Sequence, residues 1–179
     1  MRPDEPLTIR SARVADAPVL ARAEREIAAT PGLLASRPHE LLDERFAAKI
    51  EQLTESGLGC YLVAERGGEV VGHGFLDPLL VLEVVHHIVH LTLAVHPGWQ
   101  RHGIGQALMS ELIAWAREAP SVEKLELHVR SSNEPAIALY RKLGFQEEGR
   151  LRGRIKLAPG AYLDDVIMAL WVKPVPELP

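Results

Sequence analysis

The stretch Leu93-Ala94-Val95-His96-Pro97-Gly98-Trp99-Gln100-Arg101-His102-Gly103-Ile104-Gly105-Gln106-Ala107-Leu108 decides how this chain is read. Apolar residues end a strand, Pro97-Gly98 turns the chain, and Gly103 and Gly105 open a helix. Glycines there let backbone N–H groups approach an anion closely, and the free amides of a helix N-terminus add partial positive charge. Arg101 brings a mobile full charge to the same place. The pattern predicts a pyrophosphate cradle. The competing reading is a helix start whose glycines serve tight packing.

Neighbouring residues argue against two classes of phosphate ligand. A nucleoside triphosphate site wants Lys-Ser/Thr after the second glycine, where this chain has Gln106-Ala107. A nicotinamide site wants glycine or alanine at position 108, which is Leu108. It also wants an acid after the next strand, where Arg130-Ser131-Ser132 stands.

Working outward, residues 84–95 are rich in β-branched side chains and read as one long buried strand. Residues 103–119 read as a helix with Ile104, Leu108, Leu112 and Trp115 on one stripe, stopped by Pro120. A strand over 124–129 follows, then a helix over 133–143 ended by Gly144. Residues 145–151 and 162–171 read as a closing antiparallel pair. On the other side, residues 7–10 read as a strand. Asp16 is placed to cap a helix running to about residue 29, with Pro18 in its first turn. A second helix spans 41–55, with Leu42, Phe46, Ile50 and Leu53 on one face and Gly57 at its end. Residues 60–64 and 70–75 flank Gly67-Gly68, a hairpin signal. This makes one α/β (α+β) domain over residues 1–172 and a frayed, proline-bearing tail over 173–179.

The composition of the 179 residues, 47% hydrophobic and 25% charged, is that of a globular chain. A net charge of -4 excludes a net electrostatic drive toward nucleic acid or anionic membrane. The single cysteine, Cys60, excludes an internal disulfide. The N-terminus lacks the apolar run of a signal peptide. The apolar stretches 79–85 and 88–95 fall short of the roughly 20 residues of a membrane span. A cytoplasmic protein without nucleic-acid or membrane partners is expected, and a homodimer stays open on base rates.

Gln100-x-x-Gly103-x-Gly105 resembles the Gln/Arg-x-x-Gly-x-Gly/Ala signature of the GNAT superfamily of acetyl-CoA-dependent N-acetyltransferases. Asn133-Glu134-Pro135-Ala136-Ile137-Ala138-Leu139-Tyr140-Arg141-Lys142-Leu143-Gly144-Phe145 is similar to a second segment of that family. Ile9-Arg10-x-Ala12, Glu148-Gly149-Arg150, Gly160 to Asp164 and Met168 extend the resemblance over most of the chain. It implies a mixed, mostly antiparallel sheet of about seven strands with helices on both faces. Two central parallel strands, the one ending at Val95 and the one over 124–129, would splay apart to admit the pantetheine arm. It further implies acetyl-CoA as cosubstrate, no metal, and transfer to a primary amine of a small molecule, amino acid or peptide. A non-catalytic acyl-CoA sensor of the same fold is the alternative. The cofactor residues it implies are Leu93 and Val95 along the pantetheine, then Gln100, Arg101, His102, Gly103, Ile104, Gly105 and Gln106 around the pyrophosphate. Asn133 and Ala136 would hold the pantetheine arm, with Tyr140 beside the thioester sulfur.

The chemistry sets its own demands. The amine must be neutral, whereas a lysine-like amine has a pKa of about 10.4 and an α-amine about 8. The oxyanion needs fixed donors. The thiolate needs a proton, for which Tyr140 is the candidate donor. His90 is the candidate base, since histidine titrates near 6.5; Glu83, acting through water, is its rival, and solvent is the third possibility. On a helix His86 and His90 would share a face and suit zinc, but on the expected strand they stand about 13 Å apart. Cys60 tests a covalent acetyl-enzyme, and its apolar strand makes it a core residue instead. Without the family segment Tyr140 reads as a core tyrosine and Asn133 as a plain N-cap. The acceptor pocket is expected between residues 15–55 and the 77–83 loop.

Overall fold

The computed structural model describes residues 5–78 and 82–174. Seven strands form one sheet in the order β1-β2-β3-β4-β5-β7-β6. They are β1 (Leu7–Ser11), β2 (Cys60–Arg66), β3 (Glu69–Pro78), β4 (Ile88–Val95), β5 (Lys124–Arg130), β6 (Gln146–Ala158) and β7 (Ala161–Trp171). Every neighbouring pair is antiparallel except β4 with β5. Four helices complete the chain: α1 (Ala17–Ala28), α2 (Asp43–Ser56), α3 (Ile104–Glu118) and α4 (Glu134–Lys142).

Strand alternation distributes the core over both faces. Tyr61 and Val63 of β2 pack with Leu20 and Ala21 of α1 and with Phe46, Ile50 and Leu53 of α2. Ala64 of β2 and Val71 of β3 pack with Ile104 and Leu108 of α3 on the opposite face. Leu112, Ile113 and Ala116 continue α3 over β4 and β5, where Ile137 and Tyr140 of α4 join them. Gly74 explains how closely α3 seats: a Cβ there would stand 2.9 Å from both Leu112 Cδ1 and the Thr92 carbonyl oxygen.

Three local expectations change. The strand expected from residue 84 begins at Ile88, because Glu83–Val85 form a 3₁₀ turn and residues 86–87 a further turn. His86 and His90 are therefore not on one strand. Asp16 sits in helical conformation and does not cap α1 with its side chain. Its carboxylate instead accepts from the Arg13 amide at 2.7 Å and from the Arg10 guanidinium at 2.8 and 3.0 Å. The first strand of the closing pair, expected to end at 151, runs on to Ala158. Of the expected tail, residues 175–179 lie outside the described residues, while Lys173 Nζ donates to the Arg117 carbonyl at 2.6 Å. Among the described residues no helix is long and apolar enough to cross a membrane.

Candidate active site

The parallel ladder between β4 and β5 holds only at Ile88–Lys124, Val89–Leu125 and His90–Glu126. Beyond His90 the two strands part, each held by its other neighbour, β3 along β4 and β7 along β5. The His87 carbonyl accepts from β5's leading amides, and the His96 amide donates to Val71 on the β3 side. Main-chain groups alternate between the two edges of a strand, so Leu93 and Val95 turn theirs toward the gap. These are fixed donors at the positions expected to meet an acyl-pantetheine.

At the end of β4 the chain turns through the predicted cradle. Arg101 has φ of 67° and Gly103 has φ of 78°. Both lie in the left-handed region that side chains disfavour. Arg101, His102 and Gly103 are exposed. The first amides of α3 have no partner within the helix, as in any helix start. A Cβ on Gly103 would meet nothing within 4 Å, and one on Gly105 nothing nearer than Val95 Cγ2 at 3.4 Å. Protein packing therefore does not demand glycine at either position; at Gly103 the left-handed backbone does. The tight-packing reading has no contact to rest on at Gly103. Gln100 Nε2 donates to the Val95 carbonyl at 3.3 Å and ties the loop to the strand end. His102 Nδ1 lies 2.8 Å from the Gln100 carbonyl oxygen. The Ile104 side chain is core, so only its main chain faces the cradle. Gln106 accepts from Lys142 Nζ at 3.1 Å.

A cavity of about 360 Å³ opens beside the divergence, walled by His90, Leu93, His128, Asn133, Tyr140 and Asp165, among others. Asn133 also caps α4, its Oδ1 accepting from the Ala136 amide at 3.3 Å. Burial pushes the Tyr140 phenol up to about 12, so it keeps its proton at neutral pH. His90 is held below the usual histidine range, chiefly by burial and next by the neighbouring His128, against the opposite pull of Asp77 and Asp165. Arg130 lies 3.1 Å from Asp165, which is itself buried.

Not every expected residue reaches the cavity. Glu83 stands on the exposed 3₁₀ turn and does not line it. His86 is exposed in the following turn, and His87 stacks toward Trp171 with centroids 6.4 Å apart. Cys60 packs against the core, and burial pushes its thiol up to about 12, the opposite of an activated nucleophile. Of the two regions expected to shape the acceptor side, residues 33–36 and Glu24 line this cavity. Residues 79–81 of the other lie outside the described residues.

Sequence reasoning missed Glu24, His128, Arg130, Arg154 and Asp165, all in the cavity wall. A signal existed for Glu24: it is the one acid on the buried stripe of α1 formed by Ala17, Leu20, Ala21 and Ala23. Alternation along β5 likewise sets Glu126, His128 and Arg130 on one face.

The divergent strands, main-chain donors and glycine cradle define an acyl-CoA-binding α/β protein. Residues 24–145 match the acetyltransferase (GNAT) family, and the chain belongs to it. It is 40% identical over 112 residues to an N-alpha-acetyltransferase of Sulfurisphaera tokodaii, covering 58% of this chain and 66% of that protein. It is 35% identical over 108 residues to the L-amino acid N-acetyltransferase AaaT of Escherichia coli, covering 60% of this chain and 65% of that protein. The chain thus spans just under two thirds of both relatives. The crystal structure of a ribosomal-protein-alanine N-acetyltransferase from Brucella melitensis superposes with a TM-score of 0.82 at 32% identity, covering 92% of this chain and 99% of that one.

Proposed function

We propose that the protein is an N-acetyltransferase that moves the acetyl group of acetyl-CoA to the primary amine of an amino acid or peptide by direct attack in a ternary complex. The observation that carries this reading is the parting of β4 from β5 after His90, with Tyr140 and His90 in the wall of the cavity beside it. Acetyl-CoA supplies an acyl group on a thiol of ordinary pKa about 8.5, a fair leaving group.

An ammonium acceptor gives up two protons on becoming an amide. His90, neutral because it is buried, accepts the first and frees the lone pair. The amine then forms the C–N bond, and the main-chain donors of Leu93 and Val95 hold the oxyanion. As the C–S bond breaks, the Tyr140 hydroxyl gives its proton to sulfur and regains one from solvent. The amides of residues 101–106 and the Arg101 charge fix the pyrophosphate, while Asn133 and Ala136 steady the pantetheine arm. Glu83 stands on an exposed turn outside the cavity wall and takes no part in these steps.

The acceptor class draws support from two sides. The named relatives are an N-alpha-acetyltransferase, an L-amino acid N-acetyltransferase and a ribosomal-protein-alanine N-acetyltransferase. Among the described residues, Arg154 has no acidic partner in the cavity wall, which suits the carboxylate of an amino acid. Thiol release from acetyl-CoA, followed across L-amino acids, alanine-initiated peptides, polyamines and aminoglycosides, tests the proposal. Release with an α-amine supports it. Binding of acetyl-CoA without release on any amine would indicate the sensor, and an acetylated Cys60 would indicate a covalent intermediate.

A further inference from the structure

One acid of the cavity wall is joined to two buried histidines. Glu24 Oε1 lies 2.9 Å from His73 Nε2, His73 Nδ1 lies 3.0 Å from His96 Nε2, and His96 Nδ1 lies 2.9 Å from the Val70 carbonyl oxygen. His73 is fully buried, His96 and Glu24 nearly so. Glu24 reaches the cavity; His73 and His96 do not.

Proton counting fixes the polarity of this chain. A carbonyl only accepts, so His96 carries its proton on Nδ1. A neutral His96 then offers a bare Nε2, and His73 must donate to it from Nδ1. A neutral His73 therefore turns a bare Nε2 toward Glu24. Three links need three protons, and two neutral imidazoles supply two. With an ionised Glu24 the link to His73 is one proton short, and two lone pairs oppose each other across 2.9 Å. Adding one proton closes every link at once.

We propose that Glu24, backed by His73 and His96 as positioning residues, is the acceptor for the second proton of the attacking amine. This rests on the transferase reading above. The N–H bond of the acylated nitrogen breaks and an O–H bond forms on Glu24. A half-turn of the carboxyl group carries the proton into the vacant link to His73, and bulk water removes it before the next turnover. The groups facing the chain are Tyr61 of β2, stacked on His73 with centroids 6.0 Å apart, and Arg22 of α1, whose charge acts on His96. Across the cavity stand His90, His128, Arg130, Arg154 and Asp165.

Histidine ring ¹⁵N NMR on the full chain, free of ligand, tests this without depending on turnover. At neutral pH His96 is expected with its proton on Nδ1 alone, and His73 likewise on Nδ1 alone, its bare Nε2 turned toward Glu24. In His96→Phe, His73 is released to the Nε2–H form and donates directly to Glu24. His96→Gln, whose amide can accept from His73 and donate to Val70, restores the native Nδ1–H form of His73. A His96 proton on Nε2, or a His73 tautomer indifferent to His96→Phe in a folded variant, overturns the proposal. If His96→Phe does not fold, the native spectrum and His96→Gln decide. Glu24→Gln, scored by thiol release with L-alanine as probe amine, then shows whether the chain serves the reaction. Turnover undiminished with the NMR pattern intact removes Glu24 from catalysis while leaving the transferase reading standing.

Discussion

His90 on β4 and His128 on β5 meet edge to face, their ring centroids 5.3 Å apart, at the point where the two strands separate. Burial, and next the neighbouring His128, discourage His90 from taking a proton. A base in this position must be neutral before it can act. Activity should therefore fall as pH drops through the His90 value, which lies below about 6.5. His128→Gln removes a charge that holds His90 down, so the acid limb of kcat/KM should move to higher pH, by under about one unit. An acid limb that stays put would show that His90 does not set it.

Tyr140 is buried, protonated at neutral pH and in the cavity wall. Tyr140→Phe keeps the ring that packs against Phe145 with centroids 5.9 Å apart. It removes only the proton donor. Turnover should drop about 10- to 100-fold, at the lower end of general acid catalysis because a thiolate leaves readily. Affinity for CoA, measured by calorimetry, should hardly change. Equal loss in both would leave Tyr140 a packing residue.

The fold was legible wherever local signals agreed. The stripe through Ile104, Leu108 and Leu112, the stop at Pro120 and the hairpin at Gly67-Gly68 all appear as read. The start of β4 was not, because Val84 and Val85 have strand composition yet sit in a 3₁₀ turn where, among the described residues, no strand pairs with them. β-propensity measures packing on a sheet, and that packing is absent there. In the site, the glycine cradle and Tyr140 were legible because a motif carries them. Glu24, His73 and His96 come from α1, β3 and the end of β4, and only the folded sheet brings them together. Nothing in their spacing foretells it.

Arg101 holds a left-handed conformation that glycine adopts without penalty. Arg101→Gly should therefore raise stability by up to about 1 kcal/mol. The same change removes the one full charge of the exposed cradle turn over residues 101–103. Affinity for CoA should weaken, while affinity for pantetheine, which lacks the pyrophosphate, should not. Denaturant melts and calorimetry on the two ligands read these opposite signs.

His96 makes stability depend on pH in a definite window. Burial, with help from His73, holds its folded value at about 4, against 6.5 in the unfolded chain. Between these values the unfolded state binds more protons. The contribution is thus complete above about 6.5 and is lost as pH falls toward about 4, with an upper size of about 3 kcal/mol. His96→Gln should flatten the stability curve across that window. A curve as steep as the native one would place the titrating group elsewhere.

Gly105 separates folding from ligand binding. A methyl group there would stand 3.4 Å from Val95 Cγ2 and 3.5 Å from Leu139 Cδ2, ordinary contact distances. Alanine also favours a helix over glycine by about 1 kcal/mol. Gly105→Ala should therefore be at least as stable as the native chain. The added group nevertheless enters the space in front of α3 where the pyrophosphate and pantetheine are proposed to lie. For the native protein, acetyl-CoA at a hundredfold excess over Kd should add about 2.7 kcal/mol, a rise in Tm of about 5–10 °C. Gly105→Ala should start from an equal or higher Tm and show a much smaller rise. A variant that keeps the full shift would mean that the ligand passes elsewhere, because the methyl group has no other way to go unnoticed.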